Sequence, residues 1–367
     1  MATDGASRVS ESFQEALSSA GLDALLVTGD ANQRFLEGWT GSECLLLASR
    51  AGSWLVADSR YTEQAAEECR RAAVVQHRHP FPPYDEVIIG LASGASLRRL
   101  GFEKARLTYA QYEALAARAA AAGGIELVPT EGLVERLRMA KGPGELASIR
   151  RACEAADRAL EATLGSIREG MSELELARLL ESRIVEAGAE GPSFETIVAF
   201  GRRASMPHAV PSPAARLARG DLVLIDFGAR VDGYRSDITR TFVLGRAADE
   251  QRRAYAVVLE ALDRAVEAMV AGASGRVPDA IARETVLAAG YPEFGYGVGH
   301  GVGLEIHELP FMSRRCEETL AGGMTITCEP GVYLPGWGGI RIEDSVLVAA
   351  GPPEILTRFP RDRLIEL

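Results

Sequence analysis

The chain has 367 residues, 47% of them hydrophobic and 25% charged, with a formal net charge of −11. That length suits two domains with real cores, and an acidic surface repels phosphate backbones and anionic lipid, which argues against nucleic acid and membrane as partners. No segment approaches the roughly 18 uncharged apolar residues of a bilayer span, and the opening MATDGASRVSESFQEAL lacks the apolar stretch and cleavage pattern of a signal peptide.

In chain order, Ser10 to Ala20 reads as a helix, Asp23 to Thr28 as a strand, Glu43 to Ala48 as a second and Ser53 to Ala57 as a third. A helix follows from Thr62, and Tyr109 to Ala122 is Ala-rich and helical. This alternation predicts a small α/β domain. Lys141-Gly142-Pro143-Gly144 breaks the pattern and sets the expected boundary, giving domains 1–140 and 141–367.

Beyond it, the same order of elements comes twice. Leu146, Ile149, Cys153, Ala156, Leu160, Leu164 and Ile167 mark one helix face. Ser172 with Glu175 forms a capping box for a second helix, which stops before Gly188. Two β runs then flank Asp232-Gly233. In the second pass Tyr255, Leu259, Leu262, Val266 and Met269 mark a helix, and another starts near Pro278 and ends before Gly290. Strand-like runs GMTITCEPGVYL and GGIRIEDSVLV follow. Helix, helix, strands with two acids in each half predicts an internal pseudo-twofold with the site between the halves.

Charged residues inside runs as apolar as LVLIDFG are costly unless paired or bound to metal. If Asp232-Gly233 makes a two-residue type I′ turn, Asp226 faces Thr239 and Asp237 is its diagonal neighbour on the same face, roughly 7–8 Å away at Cα. Glu329 and Glu343 lie in two further apolar runs, with Arg341 on the strand face of Glu343; a buried Arg–Glu pair is the plain alternative. His300 sits among glycines that let backbone approach a ligand closely. His208 and His307 are individually weak signals. Together, four carboxylates and one imidazole suit Mn²⁺, Co²⁺, Fe²⁺ or Zn²⁺, and a pair of such ions can activate a bridging water for amide hydrolysis. Five scattered cysteines, Cys44, Cys69, Cys153, Cys316 and Cys328, read as reduced thiols in a cytoplasmic protein, Cys328 as a small core residue.

PSFETIVAFG…MPHA, GDLVLIDFGA…DGYRSDITRTF, GHGVGLEIHE and GMTITCEPGVYLPGWGGIRIEDSVLV together resemble the M24 metallopeptidases, in the branch of Xaa-Pro aminopeptidase and Xaa-Pro dipeptidase. The likeness runs from about Lys141 to the C-terminus, and ADSRYTEQA at Ala57 to Ala65 extends it more loosely to the creatinase-type N-terminal domain. The resemblance implies an α+β protein: a C-terminal pita-bread fold preceded by a smaller α/β creatinase-type domain. It implies two divalent metals, manganese first and cobalt, zinc or iron otherwise. Asp226 would be a ligand of one metal, Asp237 and Glu343 would bridge both, and His300 and Glu329 would complete the other. Glu329 would also receive the proton of the attacking water. His208 and His307 would flank the scissile bond and bind substrate, and Arg341 would orient a ligand carboxylate. Where proline-specific members carry a histidine four residues before the ligand histidine, this chain has Tyr296, a hydrogen-bond donor expected at the substrate.

The expected activity is removal of the residue preceding a proline, as an Xaa-Pro aminopeptidase with the dipeptidase as alternative. The substrate is then a peptide with proline second, and the assembly implied by the resemblance is a homodimer. An amide hydrolase with a shifted substrate, a metal-free creatinase and a non-catalytic binding module stand behind these; the intact ligand set counts against the last two.

Overall fold

The computed structural model describes residues 2–69, 71–78 and 82–367. The chain divides into two compact units, Met1–Arg138 and Met139–Leu367.

The first unit runs α1 (Ala2–Ser19), β1 (Ala24–Val27), α2 (Asp30–Glu37), β2 (Cys44–Ser49), β3 (Ser53–Asp58), α3 (Thr62–Glu68), β4 (Ala73–His77), α4 (Tyr84–Gly94), β5 (Arg99–Glu103), α5 (Tyr109–Ala122), β6 (Glu126–Thr130) and α6 (Leu133–Arg138). Its six strands form one sheet in the order β4-β3-β2-β1-β5-β6. β1 is buried along its whole length, and two apolar clusters cover the two sheet faces. The unbroken apolar run ALLV is what a strand covered on both sides requires. Sequence periodicity missed α2, α4 and the strands β4, β5 and β6, whose short or mixed runs carry little period.

The second unit opens with α7 (Pro143–Leu164) and α8 (Glu173–Glu186), then β7 (Gly191–Pro192), β8 (Ile197–Phe200), β9 (Leu222–Phe227), β10 (Ala229–Val231), β11 (Tyr234–Arg235) and β12 (Ile238–Val243). A second helix pair follows, α9 (Asp249–Glu267) and α10 (Arg276–Ala288). Next come β13 (Gly299–Gly301), β14 (Glu308–Met312), β15 (Thr325–Cys328), β16 (Gly331–Leu334), β17 (Gly338–Arg341), β18 (Asp344–Leu347), β19 (Glu354–Ile355) and β20 (Ile365–Glu366). The capping box at Ser172 is present, with Ser172 N–H 2.7 Å from Glu175 Oε2 and Glu175 N–H 3.2 Å from Ser172 Oγ. α7 stops at Leu164, short of Ile167, because Gly165 caps it; Ile167 still enters the core.

Each helix pair covers one sheet. α7 and α8 pack on β20-β12-β9-β8 through Leu180, Ile184, Val223, Ile225, Phe227 and Phe242. α9 and α10 pack on β14-β13-β15-β18-β19 through Val258, Leu262, Val286, Ile326, Cys328 and Val346. Strand alternation then turns Asp226 and Thr239 of the first sheet, and Thr327 and Ser345 of the second, away from the helices. The two inner faces meet: Ser345 Oγ donates to Asp237 O at 2.8 Å, and Glu343 N–H to Thr239 O at 3.1 Å.

The hairpin register follows the expected turn. Asp232 and Gly233 have φ of 48° and 73°, both left-handed as a type I′ turn demands, and Asp226 lies opposite Thr239. Between the ladders, Gly228 approaches Ser236 so closely that a Cβ there would lie 1.9 Å from its carbonyl oxygen. Only glycine permits that approach.

Candidate metal centre

Four of the five expected ligands sit where a strand is interrupted. Asp237 lies between β11 and β12, Glu329 between β15 and β16, and Glu343 between β17 and β18; His300 is in β13 where the register shifts between His300 and Gly301. Sequence alone placed the acids inside continuous runs. The breaks release the side chains from strict alternation and aim them at one point. Gly299 serves the same end, since a Cβ there would stand 1.9 Å from Thr327 O.

Asp237, His300 and Glu343 are all buried and offer ligand atoms within 4.8 Å of one another. His300 Nε2 is 3.3 Å from Glu329 Oε1 and 3.6 Å from Asp237 Oδ2. His300 Nδ1 lies 3.0 Å from Gly301 O. A carbonyl can only accept, so Nδ1 carries the proton and Nε2 is left to face the carboxylates as a ligand atom. Asp226 joins from β9, its Oδ2 2.5 Å from Arg341 Nη2.

The electrostatics are unbalanced in a way that calls for cations. Burial first, and then Glu343, Asp226 and Glu329, push Asp237 well above the usual carboxylate range. Glu343 is pushed well above it too, by burial and then by Glu329 and Asp226. Burial also raises Asp226 against the pull of Arg341. Without metal, Glu329 is instead drawn below its ordinary value: burial acts upward, but the hydrogen bond and charge of a His300 protonated on both ring nitrogens outweigh it. Oδ1 of Asp226 and Oδ1 of Asp237 are buried with no hydrogen-bond partner. Orphaned carboxylate oxygens of this kind are costly unless a cation takes them. The donor set and these free oxygens fit divalent metal.

Arg341 organises one flank. Besides Asp226 it reaches Thr239 Oγ1 through Nε at 3.0 Å, Tyr333 OH through Nη1 at 2.7 Å and Pro207 O at 3.3 Å. Thr239 in turn donates to Glu343 Oε2 at 2.6 Å. The arginine therefore pairs with Asp226, not with the Glu343 two residues on. Its bond to Pro207 places the exposed His208 beside the site. His307, also exposed, stands with its ring 4.4 Å from that of His300 at 68°. Partial burial, then the charges of His300 and His208, hold it below the ordinary histidine value.

Tyr296 lies close by, but its hydroxyl points into a hydrogen-bond network, 2.6 Å from Tyr333 OH and 3.3 Å from Glu329 O. Tyr333 and Thr239 carry contacts here that the motifs do not assign. Tyr333 is four residues past Glu329 in the same apolar run, the signal that was available. Tyr234 turns its hydroxyl to Glu145 Oε1 at 3.0 Å. The first unit holds a cavity of about 730 Å³, but its Arg60 is already matched to Asp58 at 2.7 Å and Glu43 at 2.5 Å.

Residues 147–350 match metallopeptidase family M24, and residues 10–140 match the creatinase/prolidase N-terminal domain. The chain is 37% identical over 344 residues to an Xaa-Pro dipeptidase of Pyrococcus horikoshii, covering 93% of this chain and 94% of that protein. Among solved structures it resembles an Xaa-Pro dipeptidase from Bacillus anthracis, with a TM-score of 0.93, 38% identity and coverage of 98% and 99%. It also resembles an X-Pro aminopeptidase from Thermotoga maritima, with a TM-score of 0.88, 35% identity and coverage of 97% and 99%.

Proposed function

The chain belongs to metallopeptidase family M24, and from that premise we propose that it is a metal-dependent Xaa-Pro dipeptidase. The observation that carries a hydrolytic role is the convergence of Asp237, His300 and Glu343 on one buried point, with free Asp226 and Asp237 oxygens beside it. Sequence motifs put the Xaa-Pro aminopeptidase first. The Pyrococcus relative and the Bacillus structure both bear the dipeptidase name, which reverses the order; the Thermotoga neighbour keeps the aminopeptidase as the second reading.

In this reading Asp226, Asp237, His300, Glu329 and Glu343 hold two divalent ions, manganese before cobalt, zinc or iron. Such ions supply Lewis acidity and acidify a bound water. The chain's own residues do the rest. Glu329 takes the proton released as the amide is attacked. His307 is held below its ordinary value, so it is neutral near pH 7 and donates one N–H to the developing oxyanion. His208 contacts the substrate from the opposite flank. Arg341 fixes Asp226 and, through Thr239, Glu343.

The deciding assay is release of the first residue from Ala-Pro, Ala-Pro-Ala and Ala-Ala-Ala, with added Mn²⁺ and with chelator. Chelator-sensitive cleavage confined to Ala-Pro supports the dipeptidase. Cleavage of Ala-Pro-Ala moves the assignment to the aminopeptidase, and cleavage of none of the three by metal-loaded protein sinks both.

A further inference from the structure

Three phenol and guanidinium groups beside the ligands form a chain whose direction can be worked out. Arginine has only donors, so Arg341 Nη1 must donate to Tyr333 OH at 2.7 Å. Tyr333 then has one proton left, and the oxygen 2.6 Å away is that of Tyr296. With that proton received, Tyr296 spends its own on Glu329 O at 3.3 Å, an acceptor only. The order is Arg341 to Tyr333 to Tyr296 to the Glu329 backbone.

The two ends matter. At the first end Arg341 grips Asp226 at 2.5 Å. At the second, Glu329 is clamped on both sides of its Cα, since its own N–H donates to Val298 O at 2.8 Å. Val298 and Tyr296 belong to the segment that leads into His300. That segment is itself tied down: Arg283 donates to Phe294 O at 2.7 Å and to Tyr296 O, and Asp279 Oδ1 accepts from Val298 N–H at 3.0 Å.

We propose that Tyr296 is a positioning residue: with Tyr333 it completes a one-way hydrogen-bond chain from Arg341 to the carbonyl of Glu329, locking Asp226 and Glu329 to each other across the ligand set. It deepens the metallopeptidase reading and rests on these two acids being ligands. Tyr296 has no proton to spare for substrate, so its removal should spare substrate affinity.

The test uses full-length protein stripped by chelator and titrated with Co²⁺, followed by visible absorption and calorimetry. Tyr296→Phe, Tyr333→Phe and the double variant are compared. Outer partners of metal ligands are worth roughly 10–100-fold in affinity or activity; one bond further out, each single variant should lose about 3–10-fold in Co²⁺ affinity. The double variant should lose no more than the worse single, because a chain broken once transmits nothing across a second break. On Ala-Pro, kcat should fall with KM within about twofold. Additive losses, unchanged Co²⁺ affinity in Tyr296→Phe, or a rise in KM alone would overturn the proposal, the last marking a substrate contact. If Tyr296→Phe fails to fold, Tyr333→Phe cuts the same chain at the neighbouring link and decides. Wild type that binds Co²⁺ but leaves every Xaa-Pro peptide intact refutes the substrate reading, while the Co²⁺ cycle still judges the chain. Wild type that binds no Co²⁺ refutes both.

Discussion

Lys141→Met tests whether a buried ion pair holds the loop that presents His307. Lys141 Nζ lies 3.2 Å from Glu308 Oε2, with 1% and 4% of the two side chains exposed. Glu308 Oε1 also accepts Glu305 N–H at 2.9 Å, so the carboxylate shapes the turn just before it. Methionine keeps the length and apolar stem of lysine, so little packing is lost. The buried carboxylate loses its lysine counter-charge. Breaking such a pair costs roughly 3–5 kcal/mol, but protonation sets a ceiling: about 1.36 kcal/mol per pH unit above a reference near 4.3, or about 3.7 kcal/mol at pH 7 and about 1 kcal/mol at pH 5. The sign is that of an acid whose folded pKa is raised: the penalty is absent below the unfolded value and grows as pH climbs toward the folded one. For a unit of this size each kcal/mol shifts Tm by about 2–4 °C. The deficit should thus be about 7–15 °C at pH 7 and about 2–4 °C at pH 5. Calorimetry on chelated protein reads it, in the transition that added metal shifts in wild type. Adding Glu308→Gln should recover most of the loss at pH 7. An equal deficit at both pH values would mean packing, not charge, and would refute the argument.

Asp237→Asn or Glu343→Gln should remove bound metal and activity together, by metal analysis and peptide assay; retention of the full metal complement in either would show the ligand assignment to be wrong. His307→Ala should keep the metals and lower kcat by about 10²–10³, since the ring is exposed and stands beside His300 without hydrogen-bonding to it; loss of metal would assign it to the ligand set instead. Asp237 and Glu343 are pushed well above the carboxylate range in the metal-free protein. Metal must therefore displace protons, and affinity should rise with pH. Calorimetric titration of Mn²⁺ in two buffers of different ionisation enthalpy measures the release, and identical heats in both would contradict it.

The turn at Asp232-Gly233 was legible because its geometry needs two left-handed residues and the sequence offers an Asp-Gly pair there. That one inference placed Asp226 against Thr239. The capping box at Ser172 and the two amphipathic helix pairs were legible for the same kind of reason: short-range patterns with a fixed period. α2, α4 and β4 to β6 were not, because a short run such as RLGFE carries no period by which to tell strand from loop.

Pattern reading put Glu329 and Glu343 within strands, because GMTITCEPGVYL and GGIRIEDSVLV look continuous. The structure breaks both runs at the acid. At each break the acid's own N–H bonds a distant segment of the same chain: Glu329 N–H bonds Val298 O and Glu343 N–H bonds Thr239 O, residues 31 and 104 positions away in sequence. No local pattern encodes such a partner. The same holds for Arg341, whose nearest acid in sequence is Glu343 but whose partner in space is Asp226. Sequence could say that these side chains were too polar for their runs and must meet something. Which acid the guanidinium meets depends on how the inner faces of two sheets are set against each other, and that is fixed by the helix pairs packed on their outer faces. Ligand identity was therefore readable from chemistry, while ligand geometry belongs to the core that holds the sheets in place.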